Sequence, residues 1–374
     1  MNSIQRRYDI DWLRVIAIGL LLIYHIAIGF QPWGVFIGFI QNNDSAQSIW
    51  VPMSMLNVWR IPLLFFVSGM GVCFAIRRRD WKALIGERAR RILVPFVFGM
   101  FAIVPLHIFL WQDFYQQDLS YVVNPYHLWF LGNIFIYVLV LSPVFFLFKK
   151  HQNGKLQSII GKILAHPLGL LLVIIPFILE AVLVNPPSFE TYAMNWHGFV
   201  LGLLAFFFGF TFVYGGDGFW KLLVKWRFAL LALALGLYFF RFFEFALRAP
   251  NYLMALESCL WIFTVLGFGH KHLNKKSQSL NYLSQAAYPV YILHMFFLYL
   301  SAWLVFPLAM HPMLKFVISI LITGVGCMVT YEYLIRRVNF LRPLFGLRLK
   351  EKANKQSNVL DTQASKTTEM KGAV

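Results

Sequence analysis

Ten runs of apolar residues, separated by gaps whose charge alternates, constrain this chain more than any other feature. The runs cover about 11–30, 52–76, 92–111, 127–148, 168–184, 197–214, 228–247, 252–270, 286–307 and 313–335. Roughly twenty apolar residues in a helix match the hydrocarbon thickness of a bilayer. Arg6 and Arg7 precede the first run, and the gap 77–91 holds Arg77, Arg78, Arg79, Lys82, Arg88, Arg90 and Arg91. The gaps after the fourth, sixth and eighth runs are again rich in Lys and Arg. The gaps 31–51, 112–126 and 185–196 contain neither. The two remaining gaps hold only Arg248 and, at a helix edge, Lys315. An excess of Lys and Arg marks cytoplasmic loops. The alternation therefore predicts an all-α, polytopic membrane helix bundle of about ten transmembrane helices, with N and C termini cytoplasmic. One membrane domain is expected over 8–346, followed by a disordered cytoplasmic tail over 350–374 that is polar and rich in Lys, Ser, Thr and Gln. The first run is too long for a signal-peptide core, so an uncleaved first span is expected.

Composition excludes the soluble alternatives. The chain is 59% hydrophobic and 13% charged, and most of the charge lies in the gaps. A net charge of +17 would point to nucleic acid in a soluble protein. Here topology accounts for most of it, and no nucleic-acid partner is expected. Cys73, Cys259 and Cys327 each lie inside an apolar run, an odd count with no disulfide or metal spacing. There is no P-loop and no HExxH motif. Neither a metal nor a permanently bound cofactor is expected.

Polar residues inside the runs are the functional signal, because a charge facing lipid is costly. Arg14 and His25 share the first span and are eleven residues apart. At about 100° and 1.5 Å per residue they lie roughly 20° apart around the helix and about 16 Å apart along it. Both therefore face the same way at different depths. With the orientation fixed, His25, Arg60, His127, Glu180, His197, Arg241, Glu244, Glu257 and His294 fall mostly in the outer half of the bundle. That bias predicts an outward-facing polar chamber. Simple readings stand beside it: Arg14 snorkelling with Asp11 as partner, and Arg241 paired locally with Glu244, one turn away. On the inner side, Arg88 and Arg91 share a helix face, and arginine's planar fork suits phosphate. Anionic headgroups would draw such a loop as well. Ser68 and Gly69, in the middle of the second span, either let helices approach closely or leave room for a slender ligand.

Several segments together resemble the acyltransferase-3 family of bacterial integral-membrane O-acyltransferases. The first span has its arginine and histidine separated by ten residues (Arg14, His25). FFVSGM (65–70) resembles the family's Ser-Gly-Phe segment, with Met70 in place of Phe. Arg88-x-x-Arg91 before Pro95, HLWFL (127–131) and YPVYILH (288–294) follow in order. DWLR, RIPLLFF and YEYLIRR…LRPLFG (331–346) look closest to the branch of glucan biosynthesis protein C, a glucan succinyltransferase. The resemblance implies a multi-pass protein of the bacterial inner (plasma) membrane. It would move an acyl group, succinyl or acetyl, from cytoplasmic acyl-CoA to a hydroxyl of an extracytoplasmic glycan. Taken with the residue map, it assigns chemistry to His25 as general base, with Arg14 and Arg60. It assigns the donor to Arg88, Arg90, Arg91, Ser68 and Gly69. The acceptor falls to His127, Trp129, Arg241, Glu244 and His294. Partners would be acyl-CoA, a saccharide and membrane lipid, with a homodimer left open. One cleft would join the basic mouth to His25. The rival classes are a transporter or flippase for an anionic or glycan substrate, and a scaffold that needs none of these side chains.

Overall fold

The computed structural model describes residues 6–350. The tail expected over 350–374 lies, apart from Lys350, outside the described residues. The described residues are helical, with no strand among them. The helices are α1 (Tyr8–Ile28), α2 (Gln47–Ile76), α3 (Trp81–Phe114), α4 (Tyr126–Lys150), α5 (Lys155–Leu164), α6 (Gly169–Val184), α7 (Trp196–Tyr214), α8 (Asp217–Phe245), α9 (Asn251–His272), α10 (Gln278–Val305) and α11 (Pro312–Ile335). Nine of them are long and apolar enough to cross a membrane, and the bent pair α5–α6 makes a tenth span. That pair turns through 84°. Pro167 lies in the break, and the residue before a proline is driven out of helical geometry. With α6 across the bilayer, α5 lies along its surface. Lys155 and Lys162 sit on it with exposed Ile159 and Ile163, as an interfacial helix requires.

Burial sorts the helices by role. The apolar stretches of α2 and α9 are the most enclosed, at 78% and 72% of their residues, whereas α8 and α11 reach only 22%. The outer pair face lipid. On α11, Leu314, Val317, Leu321, Val325 and Val329 recur every three or four residues and are all exposed.

α2 packs most closely on α7, and glycine makes that possible. A Cβ at Gly69 would fall 1.9 Å from the Phe206 carbonyl oxygen, and one at Gly209 would fall 2.0 Å from that of Phe66. Backbone thus meets backbone in both directions, the close approach typical of small residues in membrane helices. Phe66 stacks between Phe177 and Phe212, filling the space on either side. This corrects one expectation. Gly69 is a packing residue, and no ligand can pass where a methyl group does not fit. The Ser68 hydroxyl donates to Leu64 O at 2.7 Å, within its own helix.

Pro62 lies inside α2 and has no N–H to give. The carbonyl it leaves free is that of Val58, four residues back. Tyr192, from the loop 185–195, donates its hydroxyl to Val58 O at 3.0 Å and to Asn57 O at 3.3 Å. The same loop is held at Phe189, whose carbonyl receives His197 Nε2 at 2.8 Å. The other nitrogen of His197 meets Glu180 at 2.9 Å, and this pair is fully enclosed. Glu180 and His197 therefore anchor a loop that closes over the outer end of α2. Gly69→Ala should lower stability by about 1–3 kcal/mol through overpacking. Gly236→Ala, at a position with open space around it, should not. Melting temperatures of the two purified variants in detergent test the difference.

Candidate active site

Four histidines from four helices meet in the interior. His25 comes from α1, His107 from α3, His127 from the start of α4 and His294 from α10. The rings of His25 and His294 meet edge to edge, with centroids 5.2 Å apart and 9° between their planes. His127 lies edge-on to His294 at 5.1 Å, and His107 lies 5.7 Å from His127. With both rings neutral, the partner of each nitrogen sets where the protons sit. His294 Nδ1 lies 2.5 Å from the Tyr291 carbonyl oxygen. A carbonyl can only accept, so Nδ1 carries the hydrogen and the neutral ring offers its Nε2 lone pair. That lone pair faces His25 Nδ1 at 3.0 Å. His25 Nδ1 is therefore the donor, and its Nε2 is left as a free base. His127 follows the same rule, with Nε2 donating to Ile292 O at 3.1 Å. His25 is half-buried, whereas His294 has no exposed surface, so the base keeps an open edge while its support is enclosed.

Two buried arginines near the outer end behave in opposite ways. Arg241 donates through Nε to Glu257 Oε2 at 2.7 Å and through Nη2 to Glu257 Oε1 at 3.0 Å. It also donates to Leu247 O and Ser54 O, both at 3.2 Å. Four of its five N–H groups are used, which ties α8 to α9 and α2. Arg241 is a structural lock. It does not pair with Glu244, which is exposed on α8. The expected acceptor roles of Arg241 and Glu244 are therefore not supported by their placement. Arg60 is the reverse case. Its guanidinium lies 3.6 Å over the Tyr24 ring, it is 2% exposed, and its Nε and Nη1 have no partner. It lies within electrostatic reach of His25. An enclosed guanidinium with unused donors is ready for an anion or a developing negative charge.

At the basic end, Arg14, Arg88 and Arg91 lie close enough to repel one another. Glu87 offsets part of this charge. Its Oε1 receives Arg79 at 3.2 Å and Arg91 at 3.3 Å, with Arg348 at 4.0 Å. Arg14 has Asp11 at 3.7 Å. Arg88 Nη2 reaches Gly71 O at 3.3 Å, and a Cβ on Gly71 would lie 3.6 Å from Arg14. The Nε atoms of Arg88 and Arg91 and the Tyr288 hydroxyl are buried without partners. Cations outnumber acids here, and their spare donors suit phosphate oxygens. Arg90 is exposed, bonds back to Gly86 O and takes no part in this cluster.

The structure thus brings His25, His127, His294 and Arg60 together at one end, and Arg14, Arg88 and Arg91 at the other. Trp129, expected beside the acceptor, packs against Phe65 and Phe130. The two ends are not joined by an open cleft. On the face between Arg14 and His25, Ile18 and Leu21 are 7% and 1% exposed. Sequence reasoning missed His107, Tyr24 and Arg348. For His107 a signal existed, an imidazole within the apolar run VPLHIF (104–109). Arg348 arrives through a C-terminal hook that turns at Gly346. There φ is +74°, and a Cβ would press on the Tyr288 ring and the Arg91 carbonyl.

A family model for an acyltransferase domain matches residues 7–332. No similar curated protein and no similar solved structure was found. The match spans nearly all the helices and both clusters just described, and it makes the multi-pass membrane chain an enzyme. The chain belongs to the acyltransferase-3 family.

Proposed function

We propose that this enzyme moves an acyl group from cytoplasmic acyl-CoA to a hydroxyl of an extracytoplasmic saccharide, in the bacterial inner membrane. The observation that carries the reading is the free Nε2 of His25, set by His294 and the Tyr291 carbonyl, on the helix that also presents Arg14 to the basic cluster. Coenzyme A ends in phosphates on one side and a thioester on the other. Its phosphates suit the spare donors of Arg88 and Arg91, with Tyr288 and Arg348 beside them. Its arm would run along α1 past Arg14, displacing Ile18 and Leu21 to bring the thioester to His25.

There His25 Nε2 takes the proton of the acceptor hydroxyl as its oxygen attacks the thioester carbon. The charge that develops on the carbonyl oxygen is met by the unused donors of Arg60. The carbon–sulfur bond then breaks, and the imidazolium returns its proton to the departing thiolate. Proton and charge both balance within the site. His294 holds the His25 ring in its working tautomer, while His127 and Trp129 border the acceptor's place. The acyl group would be succinyl or acetyl. Mass spectrometry of envelope glycans from cells with and without the protein would identify both the group and the sugar.

His25→Ala should lower acyl transfer in membranes by about a hundredfold or more at matched expression. Turnover at the wild-type rate would remove the imidazole from the chemistry. Arg88→Gln with Arg91→Gln should raise the KM for acyl-CoA more than it lowers kcat. An unchanged KM would place the donor head elsewhere. Arg60→Gln should slow turnover by about a hundredfold in folded protein. Arg241→Gln should instead reduce the amount of folded protein, because it strands Glu257 and costs about 3–5 kcal/mol. Size-exclusion profiles in detergent separate these two outcomes.

A further inference from the structure

On the basic face, away from the cluster around Glu87, a shallow, open cleft of ≈ 390 Å³ lies between the start of α8 and the end of α9. Lys221, Val224, Lys225, Arg227, His270 and Lys271 line it. Each polar side chain in the lining is a cation or an imidazole. Among the described residues, none of the four cations has a carboxylate partner. Topology alone requires basic gaps on this face, so charge by itself does not make a site. The concave form and the state of Arg227 add to it. Arg227 is held over the Phe228 ring at 4.5 Å, Nη1 donates to Val224 O, and its Nε is buried without an acceptor. Trp226 and Phe228, both exposed, flank it where lipid headgroups meet acyl chains.

We propose that this cleft binds the phosphate headgroup of an anionic membrane phospholipid. Lys221 and Lys225, one turn apart on α8, face the phosphate together with Arg227 and Lys271. The acyl chains lie along Trp226 and Phe228. A basic pocket between spans at the cytoplasmic surface is the form such sites take. The cleft also touches the base of α1. His270 Nδ1 lies 2.9 Å from Asp9 Oδ2, Asp9 holds Arg7 at 2.6 Å, and Arg7 covers the Trp220 ring at 3.9 Å. Asp9 opens the helix that carries Arg14 and His25. A bound headgroup would brace the wall on which that helix is anchored.

The test is native mass spectrometry of the full chain, purified in detergent and exposed to phosphatidylglycerol or phosphatidylcholine. Phosphatidylglycerol should be retained and phosphatidylcholine lost. The Lys221→Gln, Lys225→Gln, Lys271→Gln variant should weaken retention by about fivefold for each charge removed. The corresponding triple Lys→Arg variant should retain the lipid. Arg227→Gln alone should lower retention by about fivefold, and it decides the matter where the triple variant does not fold. Equal retention of the two lipids, or wild-type retention by the Gln variants, would overturn the proposal. Displacement of the lipid by inorganic phosphate alone would do so too, since the occupant would then be a free phosphate. None of these outcomes depends on acyl transfer.

Discussion

Charge at membrane depth is costly unless it is paired, and the interior of this bundle is arranged around that cost. Where a cation meets a complete set of acceptors, as Arg241 meets Glu257 and two carbonyls, the result is a joint between helices. Where it does not, as at Arg60, the side chain is held by a tyrosine ring and keeps its donors unused. A cation over an aromatic face gains some stabilisation without spending its hydrogen bonds. Such a group can respond to charge that appears only as a reaction proceeds. The same distinction separates His197, with acceptors at both nitrogens, from His25, with one nitrogen free.

The imidazole pair illustrates how little is needed to set a base in an apolar region. A carboxylate behind His25 would bring a second buried charge, with its own desolvation cost. A neutral His294, fixed by a backbone carbonyl, achieves the same orientation without it. The two rings are nearly parallel and meet edge to edge, which keeps the hydrogen bond close to the plane of both. His294 is enclosed on all sides, whereas His25 is partly exposed.

Much of this fold was legible because bilayer physics writes itself into sequence. Apolar windows located ten runs and the alternation of basic and uncharged gaps supported the count; the fifth run is α6, which meets α5 at an 84° bend beside Pro167. Arg14 and His25 could be placed on one face because helical geometry is fixed over eleven residues. Pairing was not legible. Arg241 and Glu244 have the spacing of a local pair, yet Glu257 from the next helix takes the arginine and Glu244 turns outward. Tertiary packing decides between partners that one-dimensional spacing cannot rank. Gly69 misled for the same reason: a small residue reads equally as open space or as close contact, and only the Phe206 carbonyl resolves it. Arg348 lay beyond the last span, and nothing local ties it to Glu87.

The apolar section between the two clusters follows from the same constraint. A passage open from the basic mouth to the histidines and on to the outer surface would conduct protons and ions across the membrane. Ile18 and Leu21 close that line on the very face of α1 that bears Arg14 and His25. A thin acyl-bearing arm can push these aliphatic side chains aside at small cost, since it replaces apolar contact with apolar contact along much of its length. A hydrated ion has no such exchange to offer. In the proposed reaction, a seal of this kind would let a thioester reach the imidazole from one side while the acceptor arrives from the other. It also explains why the polar groups are gathered at the two ends of the helix face and absent from its middle.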